Sequence, residues 1–208
     1  ANLVASGVPP WNILALTFTN KAAAEMRERV FALIDPNTHG INGLTVSTFH
    51  SFCARTLRIW GDRIIGTRSF TIYDTADQRS AAKAAIRACN LNDSNWKPAS
   101  VLSVISSAKN KLIDVDTFQT EASDFYAKSI GKIYRAYENI LRGNDAVDFD
   151  DLLLCTAQLL GRDTEVRNEL QERYQYVLID EYQDTNRTQF VIADHIASKH
   201  KNICVVGD

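Results

Sequence analysis

The sequence is short of several things, and each shortage narrows the reading. No apolar run approaches the roughly 18 residues of a membrane span. No basic stretch followed by an apolar core opens the chain, as a secretory signal would. Cysteine is scarce and dispersed: Cys53, Cys89, Cys155 and Cys204 form no Cys-x-x-Cys pair. That argues against a metal site and a disulfide framework, and for a reduced, cytoplasmic setting. The four histidines are scattered too, and His195 and His200, five apart, do not share a helical face. Positive charge is not in excess. The net charge is −2, so bulk electrostatics carry no nucleic-acid signature. Nor is there a Gly-x-x-x-x-Gly-Lys-Ser/Thr loop to cradle nucleotide phosphates. Gly131-Lys132 is no substitute, because Tyr126 and Ile133 stand where that loop needs Gly and Ser or Thr.

What is present suits a globular chain with a core. The 208 residues suffice for one large domain or two small ones, and 45% are apolar. Charge is uneven. Residues 1–70 hold seven basic and four acidic groups, with Arg55, Arg58, Arg63 and Arg68 clustered. Those arginines read either as a solvated helix face or as phosphate contacts.

Short buried strands are expected at Ile13–Leu16, Leu44–Val46, Tyr176–Ile179 and Ile203–Val206. Asn20 is a preferred helix cap, and the Ala-rich run after it predicts a helix to about Ile34. Asp35-Pro36-Asn37 and Gly40 mark a loop, and Ser51–Trp60 a second helix. Thr75 to Gln78 reads as a capping box opening a helix to about Cys89. Further helices are expected at 99–112, 118–141, 149–160, 166–174 and 186–198, with almost no strand signal from 74 to 174. Strand-helix pairs flanking a helical block predict an α/β parallel-sheet domain interrupted by an inserted all-α subdomain. The expected limits are 1–70 and 169–208 for the sheet domain and 71–168 for the insert.

Three polar clusters follow three of the strands: Thr17-Phe18-Thr19-Asn20, Thr48-Phe49-His50-Ser51 and Asp180 to Asn186. In a parallel sheet all three would lie along the carboxyl edge, where open α/β sheets bind ligands. Asp180-Glu181 at a strand tip suits a Mg-nucleotide site, one carboxylate for the metal and the next for water. The alternative is an exposed acidic turn. Phe18 and Phe49 could stack nucleic-acid bases or face the core. Asp148, Asp150 and Asp151 read as caps and solvated charges, since they lack the Gly and terminal Glu of a calcium loop.

Five segments resemble, in order, those of UvrD/Rep/PcrA-type superfamily 1 DNA helicases. They are Ile13–Val30 (ILALTFTNKAAAEMRERV), VSTFHSFCARTLR from Val46, DFDDLL at Asp148–Leu153, YVLIDEYQDTNRTQF at Tyr176–Phe190, and the terminal ICVVGD. The resemblance implies a RecA-like (P-loop NTPase) domain and a 3′→5′ translocase. Such an enzyme couples ATP hydrolysis to movement on single-stranded DNA and to unwinding at single-strand/duplex junctions, in DNA repair or replication. By the same resemblance Asp180 holds Mg²⁺ and Glu181 is the general base. Gln183 and Asp184 link the nucleotide side to the DNA-binding surface. Thr17, Phe18, Thr19, Asn20, Thr48, Phe49 and His50 lie along single-stranded DNA, and Phe149 reaches a base from the inserted subdomain. Without the resemblance, Phe149 reads as a helix-packing residue.

In this family the phosphate loop precedes the first of these segments. The chain therefore reads as a fragment, inactive alone, whose open core surface favours instability or self-association. Two other readings are a DNA-binding module without catalysis and the motor part of a RecB/AddA-type helicase–nuclease. The Asp-Glu-Tyr-Gln-Asp-Thr-Asn string fits the UvrD/PcrA branch better than the latter.

Overall fold

The computed structural model describes residues 1–34, 42–92 and 95–208. The expected loop at Asp35–Gly40 lies outside the described residues. The chain divides into two compact units, Ala1–Arg55 with Gln158–Asp208, and Thr56–Ala157. Both divides fall inside helices, Phe49–Trp60 and Phe149–Arg162, where the sequence reading had set limits at 70 and 168.

The first unit opens with a single turn, α1 (Asn2–Ala5), and then β1 (Ile13–Thr17), whose five residues are all buried. An apolar run without alternation is what a strand covered on both faces requires. α2 (Asn20–Leu33) is capped by Thr19, not Asn20. Thr19 has the extended backbone a cap needs, and its hydroxyl accepts from Ala22 N at 3.0 Å. β2 (Thr45–Thr48) runs directly into α3 (Phe49–Trp60). Thr48 Oγ1 accepts from Ser51 N at 3.2 Å, so the helix starts two residues earlier than the sequence suggested.

The second unit is mostly helical. β3 (Thr71–Ile72) leads to α4 (Thr75–Ala88), whose capping box is Asp74 with Asp77, one residue ahead of the expected pairing. α5 (Pro98–Asn110) follows. The single helix expected over 118–141 is two, α6 (Val115–Glu121) and α7 (Phe125–Gly143). Asp124 makes the break by accepting from Ala127 N at 2.7 Å. β4 (Ala146–Val147) pairs parallel with β3 before α8 (Phe149–Arg162). Ile130, Ile133, Tyr134, Tyr137 and Leu141 bury one stripe of α7 at three- and four-residue spacing. Ala82, Ala85, Ile86 and Ile105 join the same core.

The chain then returns to the first unit through α9 (Thr164–Arg173), β5 (Tyr176–Ile179), α10 (Arg187–Ala197) and β6 (Ile203–Val205). All four strands are parallel, in the order β2-β1-β5-β6. The fold is α/β, as expected. α2 packs on β1 and β2, and α10 on β5. Leu16 sits opposite both Ser47 and Ile179, so the carboxyl ends of β1, β2 and β5 are level.

Candidate functional site

That level edge gathers the three polar clusters of the first unit. Asp180 follows the last residue of β5 and is half-buried, its N–H donating to Leu16 O at 3.0 Å. Glu181 comes next in a left-handed conformation, φ 54° and ψ 45°. Left-handed backbone is uncommon outside glycine and tends to mark functional sites. Glu181 is exposed and leads into a short 3-10 turn, Tyr182–Asp184. Gln183 Nε2 donates to Glu181 Oε2 at 2.6 Å. Asp184 is exposed, and its N–H closes the turn on Glu181 O at 3.0 Å. Asn186 then caps α10 in a reciprocal box with Gln189.

The tail of β6 runs against this turn. Tyr182 N donates to Val206 O at 2.8 Å. A Cβ on Gly207 would lie 2.4 Å from Gln183 Oε1 and 3.2 Å from Tyr182 N, so a side chain there would displace the Gln183 amide. The sequence reading passed over Gly207, because only the folded register of β5 and β6 brings it to Gln183.

The other two clusters divide by exposure. Thr17 is fully buried and donates to Thr19 O at 3.1 Å. Thr48 is buried and donates to Ser51 Oγ at 2.9 Å. Phe49 is completely buried, its ring centroid 6.0 Å from that of the half-buried Phe18. Thr19 and Asn20 are exposed and His50 is half-buried. The reading of Phe49 as a core aromatic therefore describes its place in this structure.

Phe149 belongs to the second unit. It is the first residue of α8 and its side chain is half exposed. Its acidic neighbours require a correction. Asp148 and Asp151 do cap each other's backbone, with Asp151 N donating to Asp148 Oδ1 at 2.7 Å and Asp148 N to Asp151 Oδ2 at 3.3 Å. They are not solvated: both are buried and paired with Lys109. Of the clustered arginines, Arg55 donates to Ser47 Oγ at 2.9 Å. Arg58 lies over the Phe70 ring, and Arg68 grips Asp62. Among the described residues no group of three or more His, Cys, Asp or Glu could hold a metal by itself. No described helix is long and apolar enough to cross a membrane.

Residues 1–208 match the family model of the UvrD/REP helicase N-terminal domain. The chain is 45% identical over 201 residues to the ATP-dependent DNA helicase PcrA of Bacillus subtilis, covering 97% of this chain and 27% of that protein. The proteins of the same name from Staphylococcus epidermidis and Staphylococcus aureus are 43% identical over the same shares. The chain thus spans about a quarter of the length of these curated relatives. The match runs through every segment of the carboxyl edge, and on it the chain belongs to the UvrD/REP helicase N-terminal domain family.

Proposed function

We propose that this chain is part of the motor of an ATP-dependent DNA helicase, moving 3′→5′ on single-stranded DNA in repair or replication in the cytoplasm. The observation that carries the reading is Asp180-Glu181 at the tip of an inner parallel strand, level with the polar ends of β1 and β2. The PcrA relatives favour this branch over a RecB/AddA-type motor.

The residues present fit a magnesium ion. Mg²⁺ takes hard oxygen donors, keeps several waters, and is held by one or two carboxylates plus substrate phosphates. Asp180, half-buried at the strand end, is such a donor, and no larger ligand cage exists among the described residues. When bound, the metal neutralises charge developing on phosphate oxygens. The sequence has no Gly-x-x-x-x-Gly-Lys-Ser/Thr.

Glu181 accepts the proton of the attacking water on a carboxylate oxygen. Gln183 holds that carboxylate by its 2.6 Å hydrogen bond until nucleotide and DNA are engaged. Asp184 completes the turn that joins this side to the DNA surface. Phe18, Thr19, Asn20 and His50 touch single-stranded DNA directly, being the accessible members of their clusters. Buried Thr17, Thr48 and Phe49 hold them in place. Phe149 stacks on a base from the second unit.

The test is Glu181→Gln in the full-length protein. DNA-stimulated ATPase should fall by about 10²–10⁴-fold, the usual contribution of a general base, with ATP binding retained. Unchanged turnover would remove Glu181 from the role.

A further inference from the structure

The second unit buries a lysine. Lys109, one residue from the end of α5, has a side chain with 0% exposure. Its Nζ lies 2.7 Å from Glu138 Oε1 on α7, 2.8 Å from Asp148 Oδ2 and 2.7 Å from Asp151 Oδ1. Arg142 of α7 reaches Glu138 at 3.0 Å and Asp151 at 3.2 Å, and donates to Ala146 O at 2.8 Å. The Tyr137 hydroxyl donates to Asp148 Oδ2 at 3.0 Å. Next to Lys109, Asn110 donates to Asp150 Oδ1 at 2.9 Å.

Two consecutive residues at the end of α5 thus engage all three acids of Asp148-Phe149-Asp150-Asp151. Stability alone explains this poorly, because desolvating ions is expensive and well-packed apolar side chains often do as well or better. What directional contacts add is a fixed geometry. Here they fix the first turn of α8, and the one residue of that turn left apolar and half exposed is Phe149.

We propose that Lys109 is the positioning residue for Phe149. With Asn110 beside it, it holds the first turn of α8 so that the Phe149 ring is set in advance for stacking on a base of single-stranded nucleic acid. The proposal rests on the stacking role given to Phe149 above. Lys109 itself cannot meet a phosphate, since it is enclosed. That separates it from the usual part played by a lysine in a DNA-binding protein, and the two parts predict different salt dependence.

The experiment measures the affinity of the full-length protein for labelled oligo(dT) across a salt series. The proteins compared are wild type, Phe149→Ala, Lys109→Met and the double variant. Phe149→Ala should lose about 5- to 160-fold, the range of one base–aromatic stack. Lys109→Met should lose part of the same factor, about 3- to 10-fold, and nothing further in the Phe149→Ala background. The slope of log affinity against log salt should stay at the wild-type value, whereas losing a phosphate-contacting lysine reduces it by about one. An equal Lys109→Met loss in both backgrounds, or a reduced slope, overturns the proposal while leaving Phe149 its stacking role. No loss in Phe149→Ala overturns the stacking reading and this one together. If Lys109→Met does not fold, as judged by circular dichroism, Asn110→Ala carries the same cycle. Its loss must vanish in the Phe149→Ala background for the proposal to stand.

Discussion

Two acidic turns in this chain look alike in sequence and differ in every physical respect. Asp148-Phe149-Asp150-Asp151 opens a helix, and Asp180-Glu181 closes a strand. In the first, two of the carboxylates are buried and saturated by Lys109, Arg142, Tyr137 and each other's backbone. In the second, Glu181 is exposed on a left-handed residue, held by Gln183. Acids built to hold a shape are paired on all sides and cannot easily change partner. An acid proposed to take a proton from water is left accessible, on a turn whose geometry only its surroundings maintain. Composition does not separate the two. Partners and burial do.

Exchanging the roles gives the largest expected effect. In the full-length protein, Asp148→Asn should leave the proposed ATP hydrolysis intact, whereas Glu181→Gln should cost about 10²–10⁴-fold in DNA-stimulated turnover. Single-turnover hydrolysis of both variants checks this. Comparable losses would mean that the exposed turn is not the reactive one.

Stability should respond in the opposite sense. Removing one partner of a buried charge cluster strands the others, typically at about 3–5 kcal/mol. Asp151→Ala should therefore lower the unfolding free energy obtained from urea titration by an amount in that range. Glu181→Gln, at an exposed site, should stay within about 0.5 kcal/mol. Equal midpoints for the two variants would show that the burial of Asp151 does not organise the second unit.

The same contrast shows how much was legible beforehand. The strands Ile13–Thr17 and Tyr176–Ile179 announce themselves as unbroken apolar runs, because a strand covered on both faces has no polar side to show. Their parallel order places Asp180 where the residues alone suggested. The partners of Asp148 and Asp151 were not legible. Lys109 is 39 and 42 residues away, and no local pattern encodes a pairing over that distance. The two-residue strands Thr71–Ile72 and Ala146–Val147 are too short to carry a period. Asn20 and Thr19 are both good caps in isolation, and the extended backbone of Thr19 decides between them. Phe49 and Phe149 each follow a polar residue at a helix start, yet one is fully buried and the other half exposed. Only tertiary packing tells them apart.

A smaller effect is expected at Gly207, which sharpens the description of the exposed turn. An alanine there would press its Cβ on Gln183 Oε1 and on the backbone of Tyr182. Overpacking of this kind typically costs about 1–3 kcal/mol, with the lower end expected because the Gln183 side chain can swing away. Swinging away breaks its bond to Glu181. Gly207→Ala should therefore change the ratio of DNA-stimulated to basal ATPase more than it changes ATP affinity. A variant with the wild-type ratio would separate Gln183 from any control of Glu181.

The smallest effect is a pH dependence confined to the buried turn. Burial, followed by the nearby Asp151 charge, pushes the Glu138 carboxyl above its ordinary range. Burial, again followed by Asp151, does the same to Asp148. Burial also opposes ionisation of Asp151, but the Lys109 and Arg142 charges together outweigh it and hold that carboxyl below its usual value. Lys109 stays charged, because the three carboxylates around it outweigh its own burial. Three acids face two cations, and Glu138 and Asp148 are the two whose carboxyls are shifted toward the protonated form. A carboxyl raised on folding contributes stability that is complete below the unfolded value, about 4.3 for Glu. That contribution is lost as pH rises through the raised folded value. Asp151 acts in reverse, contributing above its unfolded value of about 3.9 and losing that as pH falls. Glu138→Gln keeps an oxygen for Lys109 while fixing the neutral state. Its urea midpoint should therefore fall less than that of the wild type between about pH 4.3 and neutrality. It should keep the acid-side loss that belongs to Asp151. Parallel pH profiles for the two proteins would show that Glu138 does not carry the effect, with Asp148→Asn as the variant that then flattens the curve.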